Sequence, residues 1–195
     1  MASTLKVQNI AHTGGTNAMT IDSGGRMVQS NRPLFFVNAN NTANSGAKWS
    51  TGGTSGNNFT PIPFDTEIID RTNSFDPSTF KFTVPVAGDY LFYVWGISGD
   101  TNEWLRIHMV LLRGGNYYSI GATQQDYSGS ASNDFGNASM QIMNPMQASD
   151  VVWCTLDTTQ GGTESMYMGA SPMTGMTTPP SGMSTGWNGF GGYLI

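Results

Sequence analysis

Residues 61–95 read PIPFDTEIIDRTNSFDPSTFKFTVPVAGDYLFYVW, and their spacing decides the fold class. Phe80-Lys81-Phe82-Thr83-Val84 alternates, with Phe80, Phe82 and Val84 on one side and Lys81 and Thr83 on the other. Strict alternation marks a strand with one buried face. Tyr90-Leu91-Phe92-Tyr93-Val94-Trp95 has no polar side. A short strand that is apolar on both sides must be covered on both sides. One side can meet a partner sheet. The other needs a further cover, which another copy of the chain supplies most economically.

The same texture runs outward. Pro61–Asp65 and Glu67–Asp70 read as edge strands, where proline is tolerated because no ladder donor is needed. Asp76-Pro77-Ser78 and Pro85-Val86-Ala87-Gly88 are turns. Residues 33–37 begin a main domain. Residues 38–60 are a polar loop around a brief strand anchored by Trp49. In 103–113, Leu105, Ile107, Met109 and Leu111 face one way and Arg106 and His108 the other; Gly114-Gly115 then turns the chain into Tyr117-Tyr118-Ser119-Ile120. Asn137–Met143 alternates with Ala138, Met140 and Ile142 inward. Val151–Leu156 is apolar on both sides, and Gly189–Ile195 is a terminal strand with its end buried in a sheet. Residues 161–187 form a loop rich in glycine, proline and methionine, whose Met166, Met168, Met173, Met176 and Met183 suit an adaptable contact surface.

Composition agrees. The chain has 195 residues, 25 of them glycine, and only 11% are charged. No segment sustains helical apolar spacing, so the expectation is all-β. The net charge is −5, and the eight Lys and Arg residues are scattered. Without a basic cluster, nucleic-acid binding is not expected. No apolar stretch approaches the ~20 residues needed to cross a bilayer, so no membrane insertion is expected either. The start, Met-Ala-Ser-Thr-Leu-Lys, has no apolar core of a secretory leader. Cys154, the one cysteine, sits in Val151-Val152-Trp153-Cys154 and reads as a small buried hydrophobe.

Residues 1–31 differ from the rest. Leu5–Ile10, Ala18–Ile21 and Arg26–Val28 are short strands separated by Thr13–Thr16 and Asp22–Gly25 turns. So small a unit must dock on something. The division expected is a β anchor over 1–31 and a head over 32–195, with Leu5, Val7, Ile10, Met19 and Ile21 as docking residues.

Catalytic groups do not converge. His12 falls in a turn and His108 on the polar side of a strand. No zinc spacing, nucleophile elbow, phosphate loop or dinucleotide fingerprint is present. Asp65, Glu67 and Asp70 read as solvated charges at a sheet edge that deter aggregation. The chain is read as a non-enzyme.

The head is similar to a known family. Ile62–Asp65, Phe75–Thr79, Lys81–Phe92, Asp150–Trp153 and Gly189–Ile195 resemble, in order and spacing, the globular head of complement q, and through it the tumour-necrosis-factor-like jelly roll. The resemblance covers residues 33–195. It implies a ten-strand, two-sheet jelly-roll sandwich assembled as a homotrimer, whose interface candidates here are Leu91, Phe92, Tyr93, Val94, Trp95, Trp153 and Tyr193. Such heads sometimes hold calcium near the trimer top. Asp100, Asp126, Asp134 and Asp157 are the oxygen donors available, but no loop shows a ligand spacing, and no cofactor is assigned.

Two departures stand out: no collagen stalk precedes the domain, and Thr4–Ile10 with Met19–Met27 resembles the N-terminal segment of structural proteins in tailed phages of marine cyanobacteria. The expected role is a phage virion surface protein, made in the host cytoplasm. It is a trimeric fibre or knob-type adhesin that docks on other virion proteins through residues 1–31. Its head binds a host-surface glycan or protein through Trp49, Trp104, Tyr117, Tyr118, Tyr127, Met173 and Met176. The alternative is a capsid decoration or tail-assembly protein without receptor binding.

Overall fold

The structure is a computed structural model that describes residues 6–29, 31–39, 48–50, 59–97, 105–125, 137–156, 165–167 and 188–195. Its elements are β1 Asn9–Ala11, β2 Asn17–Ile21, β3 Met27–Val28, β4 Leu34–Asn38, β5 Lys48–Ser50, β6 Thr66–Asp70, β7 Phe75–Asp76, β8 Lys81–Thr83, β9 Gly88–Ile97, β10 Leu105–Arg113, β11 Asn116–Gln125, β12 Asn137–Met146, β13 Val151–Leu156, β14 Ser165–Tyr167 and β15 Gly189–Leu194. All are strands. Two five-stranded antiparallel sheets, β12-β9-β15-β4-β6 and β11-β10-β13-β8-β7, form a ten-strand jelly-roll sandwich. β1-β2-β3 is a sheet of its own, and β14-β5 a two-stranded ribbon.

The core lies between the five-stranded sheets, and its centre is aromatic. Phe35 stacks on Phe82 with ring centroids 4.2 Å apart and meets Phe190 edge-on at 4.9 Å. Phe92 lies edge-on to Phe82. Rings at offset or edge-on geometry add to the stabilisation that burial alone provides. Leu105, Ile107, Met109 and Leu111 line the second sheet's inner side, as their alternation predicts, and Ala138 is buried with Met140 and Ile142 packed against the same core. β10 turns into β11 at Gly114 and Gly115, whose φ values of 58° and 81° are the conformation that a two-residue hairpin demands. Cys154 is buried, and burial pushes its thiol well above the usual range.

Local readings shift in four places. Phe80 is not in the strand: it has φ 62° in the turn before β8, where its N–H donates to the Asp76 carbonyl. Pro61–Asp65 is not a strand, although Ile62 and Phe64 are fully buried and the Ile62 N–H donates to the Cys154 carbonyl. Met166 is fully buried rather than part of a contact surface; a Cβ added at Gly96 would sit 2.3 Å from its sulfur. The last strand is central, paired with both β9 and β4, but Ile195 itself is exposed.

An ion pair ties the end of β10 to the β12–β13 connection. Arg113, ending β10, donates through Nε and Nη2 to both oxygens of Asp150 at 2.9 and 2.5 Å. The Gln147 N–H donates to the same carboxylate, and Arg113 Nη2 also reaches the Pro145 carbonyl. Burial pushes the Asp150 carboxyl up. The Arg113 hydrogen bonds, the Gln147 N–H and the Arg113 charge outweigh it and leave the group below its ordinary value.

Candidate functional site: the outer aromatic face of the first sheet

Cross-strand partners in a sheet point to the same side. Along β9, Tyr90, Phe92 and Val94 are buried in the sandwich, while Leu91, Tyr93, Trp95 and Ile97 alternate outward and stay half-buried. The register pairs Leu91 with Tyr193, Tyr93 with Gly191 and Trp95 with Gly189 on β15. On β15, Tyr193 and Gly191 pair in turn with Leu34 and Phe36 of β4. Leu34, Phe36, Leu91, Tyr93, Trp95 and Tyr193 thus share the outer face, continued by Met143, which is 64% exposed opposite Leu91.

Glycines make this face flat. A Cβ at Gly189 would lie 2.4 Å from the Trp95 ring and 2.8 Å from Phe36, and one at Gly191 would lie 2.5 Å from Tyr93. Those distances are shorter than any real contact. The missing side chains form a trough along β15 in which the rings lie down instead of projecting. Phe36 stacks on Trp95 at 5.5 Å, and Trp95 on Tyr93 at 6.2 Å. Burial raises the Tyr93 hydroxyl above its ordinary range, and the neighbouring Tyr193 hydroxyl adds to it. The result is a broad apolar plate with two phenols, a surface fit to pack against protein.

The interface candidates therefore divide. Leu91, Tyr93, Trp95 and Tyr193 lie together on the plate. Phe92 and Val94 are 0% and 1% exposed inside the chain and cannot reach another copy. Trp153 is also corrected: its chain covers it. Its Nε1–H donates to the Phe59 carbonyl at 2.8 Å, Tyr117 meets it edge-on, and the Lys81 ammonium lies 4.5 Å from its ring centroid. Leu34 and Phe36 were missed; the signal was the apolar run 33–37, which lacks a polar side just as β9 does.

Of the host-binding candidates, only Tyr117 and Tyr118 have described side chains. Tyr117 pairs with Leu112 and Tyr118 with Leu111, so the two point to opposite faces of the second sheet. Tyr117 also stacks on Phe59 as part of the cover over Trp153. Trp104, Tyr127, Met173 and Met176 lie outside the described residues, as do Asp100, Asp126, Asp134 and Asp157; the Trp49 side chain does too, although its backbone belongs to β5. Among the described residues no group of three or more His, Cys, Asp or Glu could hold a metal ion. Asp70 instead caps a turn, accepting from the Thr72, Ser74 and Phe75 N–H groups. Asp76 accepts from Ser78 and Thr79, which lower its carboxyl to about 2.

The docking candidates fall on the separate N-terminal sheet. Ile10 pairs with Met19, and Ile21 with Met27, which puts these four on one face. Val7 is exposed, and Leu5 lies outside the described residues.

Comparison with known proteins bears on the head. The C1q domain family matches residues 46–176. The globular domain of zebrafish complement 1qA protein is 18% identical and superposes with a TM-score of 0.53 over 84% of this chain and 98% of that one. Murine APRIL is 9% identical, with a TM-score of 0.56 over 84% of this chain and 99% of that one. Eiger TNF from S. frugiperda is 11% identical, with a TM-score of 0.56 over 84% and 93%. At these identities the likeness is one of fold. No curated protein sequence matches. The family match stops short of β4 and β15, the two strands that complete the aromatic plate with β9.

Proposed function

The chain belongs to the C1q domain family, and from that premise we propose that it is a non-enzymatic, homotrimeric head whose three copies close on their aromatic plates. C1q and TNF domains are in general binding or structural modules, and trimers are typical of the family. The observation that carries the reading is the half-exposed plate of Leu34, Phe36, Leu91, Tyr93, Trp95 and Tyr193. Contiguous apolar surface of this kind marks a protein interface. Each such side chain contributes roughly 1.5–3 kcal/mol when fully buried. Equilibrium sedimentation tests it: a trimer is expected at micromolar concentration, and a stable single-chain species sinks it.

The finer reading is a surface protein of a tailed-phage virion, with residues 1–31 carrying the head on the particle and the head turned toward the host surface. It is supported by the resemblance of Thr4–Ile10 and Met19–Met27 to phage structural proteins, and by the arrangement of β1–β3 as a sheet of their own. Three weak contacts to a host glycan or protein would multiply through avidity. Absence of the chain from purified particles would remove this reading. One observation favours the alternative role, decoration or assembly without receptor binding: among the described residues, Tyr117 and Tyr118 face apart and form no joint platform. Deleting the protein separates the roles. Lost adsorption marks an adhesin, whereas particle fragility with normal adsorption marks a structural cement.

A further inference from the structure

We propose that the sheet β1-β2-β3 is a second self-association unit, in which the Ile10–Met19–Ile21–Met27 stripe of each copy packs on the same stripe of the two others. The inference rests on the trimeric reading of the head. It is carried by register, exposure and tether.

The register places four large apolar side chains on one face. Ile10 lies opposite Met19 and Ile21 opposite Met27, while Met19 and Ile21 are two residues apart on β2 and so point the same way. Asn9, Thr20 and Val28 share the other face. The stripe is open at its two ends and half-buried at Met19 and Ile21 in its middle. Met27 is 70% and Ile10 48% exposed, and no residue of β1–β3 belongs to the core of the head. No stray charge spoils it at the β2–β3 turn: Asp22 and Arg26 pair with each other at 2.8 Å, and the Asp22 carboxylate also accepts from the Gly24 and Arg26 N–H groups.

The tether selects the occupant. β3 ends at Val28 and β4 begins at Leu34, so the connection spans about 20 Å when extended. It is tied to the head at Gln29, Arg32 and Pro33. The Arg71 Nη1 donates to the Gln29 carbonyl, the Arg32 Nε donates to the Leu194 carbonyl, and the Arg32 guanidinium lies 5.6 Å from the Tyr193 ring centroid. The connection therefore leaves the head at the Leu34–Tyr193 end of the plate that the trimer closes. Three N-terminal sheets are held within a few tens of ångströms of one another. A tether that short gives an effective concentration on the order of millimolar, so each stripe meets its own copies before a diffusing partner. Packing of the stripes leaves Val28, on the opposite face, available for other virion proteins.

Cross-linking of the full chain tests this. The native Cys154 is 1% exposed and silent toward mild oxidants. A Met27→Cys thiol on the stripe is expected to form a covalent dimer at least tenfold faster than a Val28→Cys thiol on the opposite face. Sedimentation of the same samples keeps the two readings apart. A trimer in which both thiols oxidise at equal, slow rates overturns the inference and leaves the trimeric head standing. A trimer whose Met27→Cys thiol stays reduced in solution but becomes protected on the particle also overturns it, and assigns the stripe to a virion partner. A single-chain species removes the trimeric reading and the inference with it.

Discussion

The two outer faces of the sandwich handle the same surplus in opposite ways. β9 and β13 are both apolar on both sides, and each puts tryptophan on its outer side: Trp95 on the first sheet, Trp153 on the second. Trp153 is shielded within the chain, by the Phe59 carbonyl, the Tyr117 ring and the Lys81 ammonium. Trp95 is only bedded down, lying in the trough left by Gly189 beside Phe36 and Tyr93. A two-sided apolar strand thus shows that a cover is needed, not who provides it. A segment distant in sequence can cover one sheet while identical chains cover the other.

Removal of residues 190–195 is the harshest test of this contrast. β15 is the middle strand of the first sheet, hydrogen-bonded to β9 and β4, and it carries both the core ring of Phe190 and the trough. The truncated chain is expected to yield no soluble folded head by size-exclusion chromatography and circular dichroism; a folded trimer would show that the trough does not organise the plate.

Phe92→Ala comes next. Because Phe92 points into the core, the substitution leaves a cavity and costs about 3–5 kcal/mol of unfolding stability. Denaturant unfolding measures the loss. Stability equal to wild type would reverse the inside and outside of β9.

The paired substitutions Trp95→Ala and Trp153→Ala probe the comparison itself. Trp153→Ala is expected to lower the unfolding stability by about 3 kcal/mol without changing the trimer's dissociation constant. Trp95→Ala is expected to weaken the trimer at least tenfold with a smaller effect on unfolding of the dissociated chain. Equal effects of the two on assembly would erase the distinction between the faces.

The smallest effect lies at the Arg113–Asp150 pair between β10 and the β12–β13 connection. The folded state holds the Asp150 carboxyl below its ordinary value of 3.8. Its contribution is therefore present above the unfolded pKa of about 3.9 and is lost as pH falls toward the folded one. Asp150→Asn lacks that contribution at neutral pH, so the Tm difference from wild type should be widest near pH 7 and shrink as pH falls below the unfolded value of about 3.9. A difference independent of pH would mean that the ion pair adds no stability.

Much of this was legible in the chain. The alternation of Phe82 and Val84, and of Leu105 through Leu111, is imposed by the two-residue period of a strand and predicts its inner face from neighbours alone. The grouping of Leu5, Val7, Ile10, Met19 and Ile21 was readable as composition, but not its division into two faces. The faces depend on pairing between strands: Ile10, Met19 and Ile21 form one stripe with Met27, whereas Val7 precedes the first paired residue. Tyr117 and Tyr118 are adjacent in sequence, and adjacency in a strand separates side chains instead of joining them.

The amino-acid order alone determined that the chain is all-β, that the head is a two-sheet sandwich of C1q type, and that β9 carries more apolar surface than one sandwich hides. The all-β class and the apolar surplus of β9 follow from period, turn residues and composition, which are local properties; the two-sheet sandwich is what the resemblance of Lys81–Phe92 and its companion stretches to the complement-q head implies. Tertiary structure decided which half of β9 faces outward, that Trp153 is sheltered by Phe59 from 94 positions away, and that three glycines of β15 receive rings from β4 and β9. Those outcomes depend on contacts between residues far apart along the chain, and no local spacing encodes which distant segment arrives to make them.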